Sequence, residues 1–296
     1  MECSLRIAVD VGGHTVTVGL VDAGSFQVLG HVSHPTPEGG SVAPLARLIR
    51  REASRLCGDA GVSIPDQVRM AVPGMLSRER DRILKAPNVP GLDGVWLRQV
   101  RSALEGEMGG PVRVLWENDA NCYALGEWAR GVARGMGDLV LFTLGTGIGC
   151  GIILGGRLLI GSRGMAGEAG HLVVRDGGRC GCGGVGHLEA HSGTGAVEAL
   201  GGGDFRSLWE EFRAGVSRTE VESFLDGLAR GMASVFHLLD PQAVVLGGGA
   251  SRAEGLLEEL LPRMGAYLAE PFRGSVRVLI SQLGDLAPLI GAAALG

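Results

Sequence analysis

The sequence lacks a basic stripe. Its 296 residues carry 27 basic and 32 acidic side chains, a net charge of −5, with no cluster on which a phosphate backbone could lie. A nucleic-acid partner is therefore not expected. It also lacks a positively charged start followed by an apolar run. Asp10 already lies in the first strand-like segment, so no targeting signal is read and a cytoplasmic protein is expected. A disulfide framework is missing too: six cysteines in a chain of this length, without a secretory signal, do not make one. Cys3, Cys57, Cys122 and Cys150 are isolated and read as plain core or surface thiols. Low-complexity linkers are absent, which points to a hinge rather than a tether between domains. The nearest approach to a membrane span is residues 139–156, 18 residues without a charge. Six of them are glycine, and the segment reads as strand, glycine turn and strand, so buried strands are preferred and no membrane partner is expected.

What the chain has in abundance is glycine, 52 residues with no collagen-like period, which implies many tight turns and close backbone approaches. Strands are expected at residues 5–9, 16–21, 26–34, 68–72 and 112–116, with helices at 42–58 and 120–130. A second series follows: strands at 139–144 and 150–154, a long helix at 221–239, a strand at 244–246, a helix near 254–268, a strand at 276–280 and an Ala/Gly-rich final helix. Strands followed by helices give an α/β class. The strand–glycine turn–strand opening occurs twice, which suggests two related lobes facing a cleft. The lobes are expected at 1–118 and 119–296, with the last helix packing back on the first.

Five stretches carry candidate chemistry. Asp10 stands before the turn Gly12-Gly13-His14-Thr15. Bare backbone can approach a polyphosphate there, and the carboxylate can hold hydrated Mg²⁺; alone, the pattern reads first as a common hairpin turn. Gly145-Thr146-Gly147 repeats the device, with a hydroxyl added. Two such turns can clamp a triphosphate from opposite sides. Gly247-Gly248-Gly249 follows a buried strand. It suits either a flat ligand such as adenine or a tight strand–helix turn. Glu117-Asn118-Asp119 ends a strand and starts a helix, where ligands gather in α/β sheets. Asp119 could act as an N-cap, but three consecutive polar residues exceed what a cap needs. A carboxylate there can accept the proton of an attacking hydroxyl, and Asn118 can bond sugar hydroxyls. Finally, Cys180 and Cys182, flanked by His171 and His187, form a Cys₂His₂ set suited to Zn²⁺, preferred here over two free thiols on a glycine loop. Glu168 and Glu189 flank this loop as acceptors for sugar hydroxyls. No nucleophile-elbow pattern surrounds His191 and Ser192.

These residues together resemble the ROK family of bacterial sugar kinases and sugar-responsive repressors, which has the actin-like, hexokinase-like fold of two ribonuclease H-like lobes facing a central cleft. The resemblance covers nearly the whole chain. Its most specific pieces are Glu117-Asn118-Asp119, Gly167-Glu168-Ala169-Gly170-His171, the Cys180-Gly181-Cys182-Gly183 loop running to Glu189, and Ala86-Pro87-Asn88-Val89-Pro90-Gly91. It implies Asp119 as catalytic base, and Asn88, Asn118, Glu168, His171 and Glu189 as sugar ligands. Asp10, Gly12, Gly13, Thr146 and Gly147 would handle phosphates and Mg²⁺, and His171, Cys180 and Cys182 would ligate zinc. Two positions depart from the family pattern. His187 stands where a third Cys is usual, and His14 stands where the first turn usually has Thr, with Thr15 following.

The expected activity is ATP-dependent phosphorylation of a hexose, glucose first, by a homodimer. N-acetylated hexosamine, allose, mannose and fructose are alternatives. A sugar-responsive repressor would need a helix-turn-helix ahead of residue 5, for which the sequence leaves no room. A silent sugar-binding protein would not need the base Asp119.

Overall fold

The computed structural model describes residues 5–37 and 41–296; Cys3 lies outside them. The chain separates into two compact units, Met1–Arg134 with Leu158–Ala166 and Asp285–Gly296, and Gly135–Arg157 with Gly167–Gly284.

In the first unit the chain runs β1 (Leu5–Val11), β2 (Thr15–Asp22), β3 (Val28–Pro35), α1 (Val42–Asp59), β4 (Gln67–Val72), β5 (Met75–Leu76), β6 (Ile83–Lys85), α2 (Leu97–Met108), β7 (Arg113–Asn118) and α3 (Asp119–Ala129). The second unit holds β8 (Leu139–Leu144), β9 (Ile148–Leu154), β10 (Arg157–Leu158, at the boundary between units), α4 (Leu188–Ser192), α5 (Thr194–Gly201), α6 (Phe205–Arg213), α7 (Thr219–Leu239), β11 (Ala243–Gly247), α8 (Leu256–Tyr267) and β12 (Val278–Ile280). The chain then returns to the first unit as α9 (Ala287–Ala293).

The two main sheets have the same order, β3-β2-β1-β4-β7 and β10-β9-β8-β11-β12. In each, the opening hairpin is antiparallel and the later strands join parallel to its first strand. The α/β class and the repeated opening read from the sequence are thus present. The uncharged stretch 139–156 is β8, its turn and β9, and among the described residues no helix is long and apolar enough to cross a membrane.

Burial explains the layers. Ile7, Ala8 and Val9 of β1 are fully buried, because helices cover both faces of that sheet. Leu45, Ile49, Ala53 and Leu56 make one stripe of α1 and join Val9, Val18, Met70 and the α2 residues Val100 and Leu104 in one core. On the other face, Ala8 and Val21 pack against Leu289 and Ala293 of α9. Gly19 makes room there, since a Cβ on it would lie 2.5 Å from Leu289. In the second unit, β8 and β11 bury every apolar side chain, and Phe224, Leu228, Met232 and Phe236 line the buried face of α7.

Several features departed from sequence expectation. The third strand begins at Val28 rather than 26, because Phe26 sits at φ 55° in a turn closed by Asp22 N–H to Gln27 O (2.9 Å). The hairpin β5–β6, strand β10 and helices α2, α4, α5 and α6 were not foreseen. The first unit also runs past residue 118 to Arg134, because α3 packs on α9 and β4 and so stays with the first sheet.

Contact between α3 and α9 is backbone to backbone. A Cβ on Gly291 would lie 1.7 Å from Cys122 O, and one on Gly126 would lie 2.1 Å from Ala287 O. Gly291→Ala is therefore expected to destabilise the protein by about 2 kcal/mol or more, the range of an overpacked core. It should lower the melting temperature by several degrees, as a calorimetric scan will show; an unchanged transition would mean the helices can part freely.

Candidate active site

In the first unit, parallel register assembles the acidic site. Asp10 of β1 pairs with Ala71 of β4, Ala71 pairs with Glu117 of β7, and Val72 pairs with Asn118. Asp10 and the Glu117-Asn118-Asp119 triplet therefore reach the same carboxyl edge of the sheet, the edge at which α/β folds bind ligands. Asn118 caps α3 through its side chain, with Oδ1 accepting from Asn121 N–H at 3.1 Å. Its Nδ2 donates to Gly74 O and to Asp119 Oδ1, each at 3.0 Å. Asp119 Oδ1 also accepts from Ala120 N–H at 2.8 Å.

Removal from water, and then the charges of Asp119 and Asp285, push the Asp10 carboxyl up from 3.8 to about 7. Asp285, just ahead of α9, was missed in the sequence. Its only signal was a carboxylate before a final helix, and no motif marked it. Burial, and then the charges of Glu117, Asp10 and Asp119, raise the Cys122 thiol well above its ordinary value, so this thiol is inert. Cys57, Cys122 and Cys150 are all buried free thiols.

The turn after Asp10 is a tight hairpin, with Gly12 N–H donating to Thr15 O at 2.8 Å. Thr36, just past the end of β3, braces it: its hydroxyl donates to Gly12 O (2.7 Å) and its N–H to His14 O (2.9 Å). Gly13, His14 and Thr15 are exposed. The Asn88 loop crosses close by, since a Cβ on Gly13 would lie 3.2 Å from Asn88. That loop is stapled by Asp93, which pairs with Lys85 and accepts from Ala86 N–H at 2.6 Å.

In the second unit, the turn Gly145-Thr146-Gly147 joins β8 to β9. Thr194 N–H donates to Gly145 O (2.8 Å) and Gly195 N–H to Thr146 O (3.2 Å), so the start of α5 braces it. Glu189 of α4 lies on the turn: Oε2 accepts from Ile148 N–H at 2.9 Å, and a Cβ on Gly147 would meet it at 2.3 Å. Gly247-Gly248-Gly249 ends β11 beside β8. Gly248, at φ 83°, is required there, since a Cβ would lie 2.5 Å from Leu144 O.

Residues 167–189 fold back on themselves. Val173 bridges His187 and Arg179 bridges Val185, while Cys180 N–H donates to Gly184 O at 2.9 Å. This brings one donor atom from each of His171, Cys180, Cys182 and His187 within 4.8 Å of one another. Cys182 Sγ lies 3.2 Å from His187 Nδ1, and His171 Nδ1 lies 3.1 Å from Glu168 Oε2. Burial, with Cys182 and Glu189 nearby, pushes the Cys180 thiol up to about 11. Two sulfurs and two imidazole nitrogens at this spacing fit a tetrahedral Zn²⁺, whose charge would offset the cost of the thiolates. Cys180 Sγ is also 3.6 Å from Glu189 Oε1, so Glu189 joins this loop to the second glycine turn.

A model of the ROK family matches residues 6–296. The chain belongs to the ROK family. It is 33% identical to a glucokinase from Thermotoga maritima over 98% of this chain and 96% of that protein. The crystal structure of a ROK hexokinase from Thermus thermophilus superposes with a TM-score of 0.84 at 35% identity, covering 98% of this chain and 97% of the other. A ROK family glucokinase from Streptomyces griseus, solved in complex with glucose and AMPPNP, gives a TM-score of 0.76 at 29% identity over 98% of both chains. The ROK motifs named from the sequence therefore lie in a ROK fold.

Asp10 contributes a pH response to the unliganded protein. Its folded pKa lies above its ordinary 3.8, so the folded state keeps a proton that the unfolded chain has released. The resulting stability is full below about 3.8 and is lost as the pH rises through about 7. Asp10→Asn should gain stability over wild type between pH 5 and pH 8 in denaturant titrations without divalent cations. An equal difference at both pH values would show that Asp10 is not held up.

Proposed function

We propose that this chain transfers the γ-phosphoryl group of ATP to a hydroxyl of a hexose, glucose first. The observation that carries this is Asp119, held at the carboxyl edge of the parallel strands by Asn118 and by the Ala120 N–H of its own helix, with Asp10 on the same edge.

In this reading, Asp119 accepts the hydroxyl proton while the sugar oxygen attacks the γ-phosphorus and the bond to the bridging oxygen of ADP breaks. Asn88, Asn118, Glu168, His171 and Glu189 bind sugar hydroxyls. Both oxygens of Glu189 already have partners in the second unit, so its hold on sugar uses their remaining lone pairs. The turn Gly12-Gly13-His14-Thr15 and the turn Gly145-Thr146-Gly147 offer backbone N–H groups to phosphates, and Gly247-Gly248-Gly249 offers a flat backbone to adenine. Asp10 would hold hydrated Mg²⁺, which neutralises charge on the phosphates when bound. Since a nearby cation favours the ionised carboxyl, Mg·ATP would draw the proton from Asp10.

Zn²⁺ would be held by His171, Cys180, Cys182 and His187, with no water left for chemistry. Glu168 takes His171 Nδ1, so Nε2 would be its ligand atom, and the carboxylate would fix the ring. The same reading includes a cytoplasmic homodimer, checked by sedimentation. Which hexose is preferred is decided by a panel of glucose, mannose, allose, fructose and N-acetylated hexosamines with coupled ADP detection.

Asp119→Asn is expected to lower kcat by at least ~10²-fold, the usual worth of a general base, while sugar still binds. Coupled ADP release and calorimetry measure the two; near-normal turnover would remove Asp119 from this role. Elemental analysis of protein purified without chelator should give about one zinc per chain. His187→Ala should weaken zinc retention against a competing chelator, and His187→Cys should keep it. Retention by the alanine variant equal to wild type would leave only three protein ligands.

A further inference from the structure

Arg80 sits on the loop between β5 and β6 in the first unit, and its backbone is in the left-handed region, φ 54°. That region is unfavourable for a residue with a Cβ, and such outliers persist only where surrounding contacts hold them. Here the contacts are explicit. Arg80 N–H donates to Ser77 O (3.0 Å), and its carbonyl accepts from Trp116 Nε1 (2.7 Å). Nη1 donates to Ser77 O (3.0 Å) and Gly164 O (2.9 Å), and Nε donates to Glu117 Oε2 (2.7 Å).

Glu117 is only 3% exposed. A carboxylate so far from water is costly unless paired, and Arg80 is its partner. Its other oxygen, Oε1, accepts from Asn118 N–H (2.8 Å) and from Asn121 Nδ2 (3.0 Å). Asn121 N–H in turn holds Asn118 Oδ1, and Asn118 Nδ2 holds Asp119 Oδ1. The N-cap of α3 needs only Asn118 Oδ1. An ion pair serving stability alone could be replaced by apolar side chains without loss. Here one carboxylate oxygen holds Arg80, and the other holds the two residues, Asn118 and Asn121, that orient Asp119.

We propose that Arg80 and Glu117 are positioning residues: their buried ion pair fixes Asn118 and Asp119 in the geometry of proton transfer without touching substrate. The inference rests on the reading of Asp119 as the base. Two donors, Ala120 N–H and Asn118 Nδ2, meet the same oxygen of Asp119, which sets the plane of the carboxylate. Without the Arg80–Glu117 pair, Asn118 turns more freely and that plane is lost.

The test compares Glu117→Gln, Arg80→Gly and the double variant with wild type and Asp119→Asn, using glucose and Mg·ATP. Glycine at 80 relieves the backbone conformation, which offsets part of the cost of leaving Glu117 without its partner. Each single variant should lower kcat by roughly 10- to 100-fold, the effect of misplacing a reacting group, with the KM for ATP changed by less than about twofold. Rates are expressed per ATP-binding site counted by calorimetry, which removes any contribution of unfolded protein. The double variant should be no slower than the slower single, because both act through one link. Unchanged kcat per site, or fully additive losses, would overturn the proposal. If Asp119→Asn is inactive while Glu117→Gln and Arg80→Gly turn over normally, the positioning role alone falls. If Asp119→Asn turns over normally, the base and its positioning fall together.

Discussion

The backbone contact between α3 and α9 is the constraint on which the first unit depends. Gly126 and Gly291 remove the side chains that would keep the two helices apart, and carbonyls of Cys122 and Ala287 occupy the space. The contact fixes the direction of α3 and therefore the position of Asp119 at its first turn. It also brings the chain back after a long excursion through the second unit, so that Asp285 arrives near Asp10. The charges of Asp119 and Asp285 act against that of Asp10. They stay there because packing, not electrostatics, decides where the helices lie. The cost appears as an Asp10 proton held to about pH 7, a charge deficit that a divalent cation can fill.

The two units use one strand order and brace the same glycine turn differently. In the first, Thr36 of the neighbouring strand end holds the turn through the carbonyls of Gly12 and His14. In the second, the bracing comes from α4 and α5, above all from Glu189, which bonds Ile148 N–H and approaches Cys180. Geometry of the second turn is thus tied to the Cys/His loop, whereas that of the first is independent of any such loop. His14, the residue that departs from the ROK pattern, projects from the exposed part of the first turn, and the hairpin closes through backbone groups that any side chain there supplies.

Much of the architecture was legible because periodicity and glycine placement are local properties. The apolar runs at 139–144 and 244–246, each followed by glycine, read as buried strands, and the turn residues after Asp10 and Leu144 mark their own hairpins. The short pairs β5 and β6 were not legible, being too brief to show a period. Phe26 was absorbed into a strand because nothing in its side chain announces a positive φ. The boundary between units was misplaced because α3 belongs with a helix more than 150 residues later in the chain, and no local pattern records that.

By itself the sequence determined the α/β class, the two glycine turns, the Glu117-Asn118-Asp119 triplet and the donor set of the Cys/His loop, since each rests on residue type and short spacing. Only the tertiary structure decided that Asp285 belongs with Asp10, that Arg80 spends a strained backbone on Glu117, and that Glu189 sits on the second turn. These relations join residues 37 to 275 positions apart, Glu189 lying 41 residues after Ile148. Such contacts are set by how sheets and helices pack, and packing is a property of the whole chain rather than of any window within it.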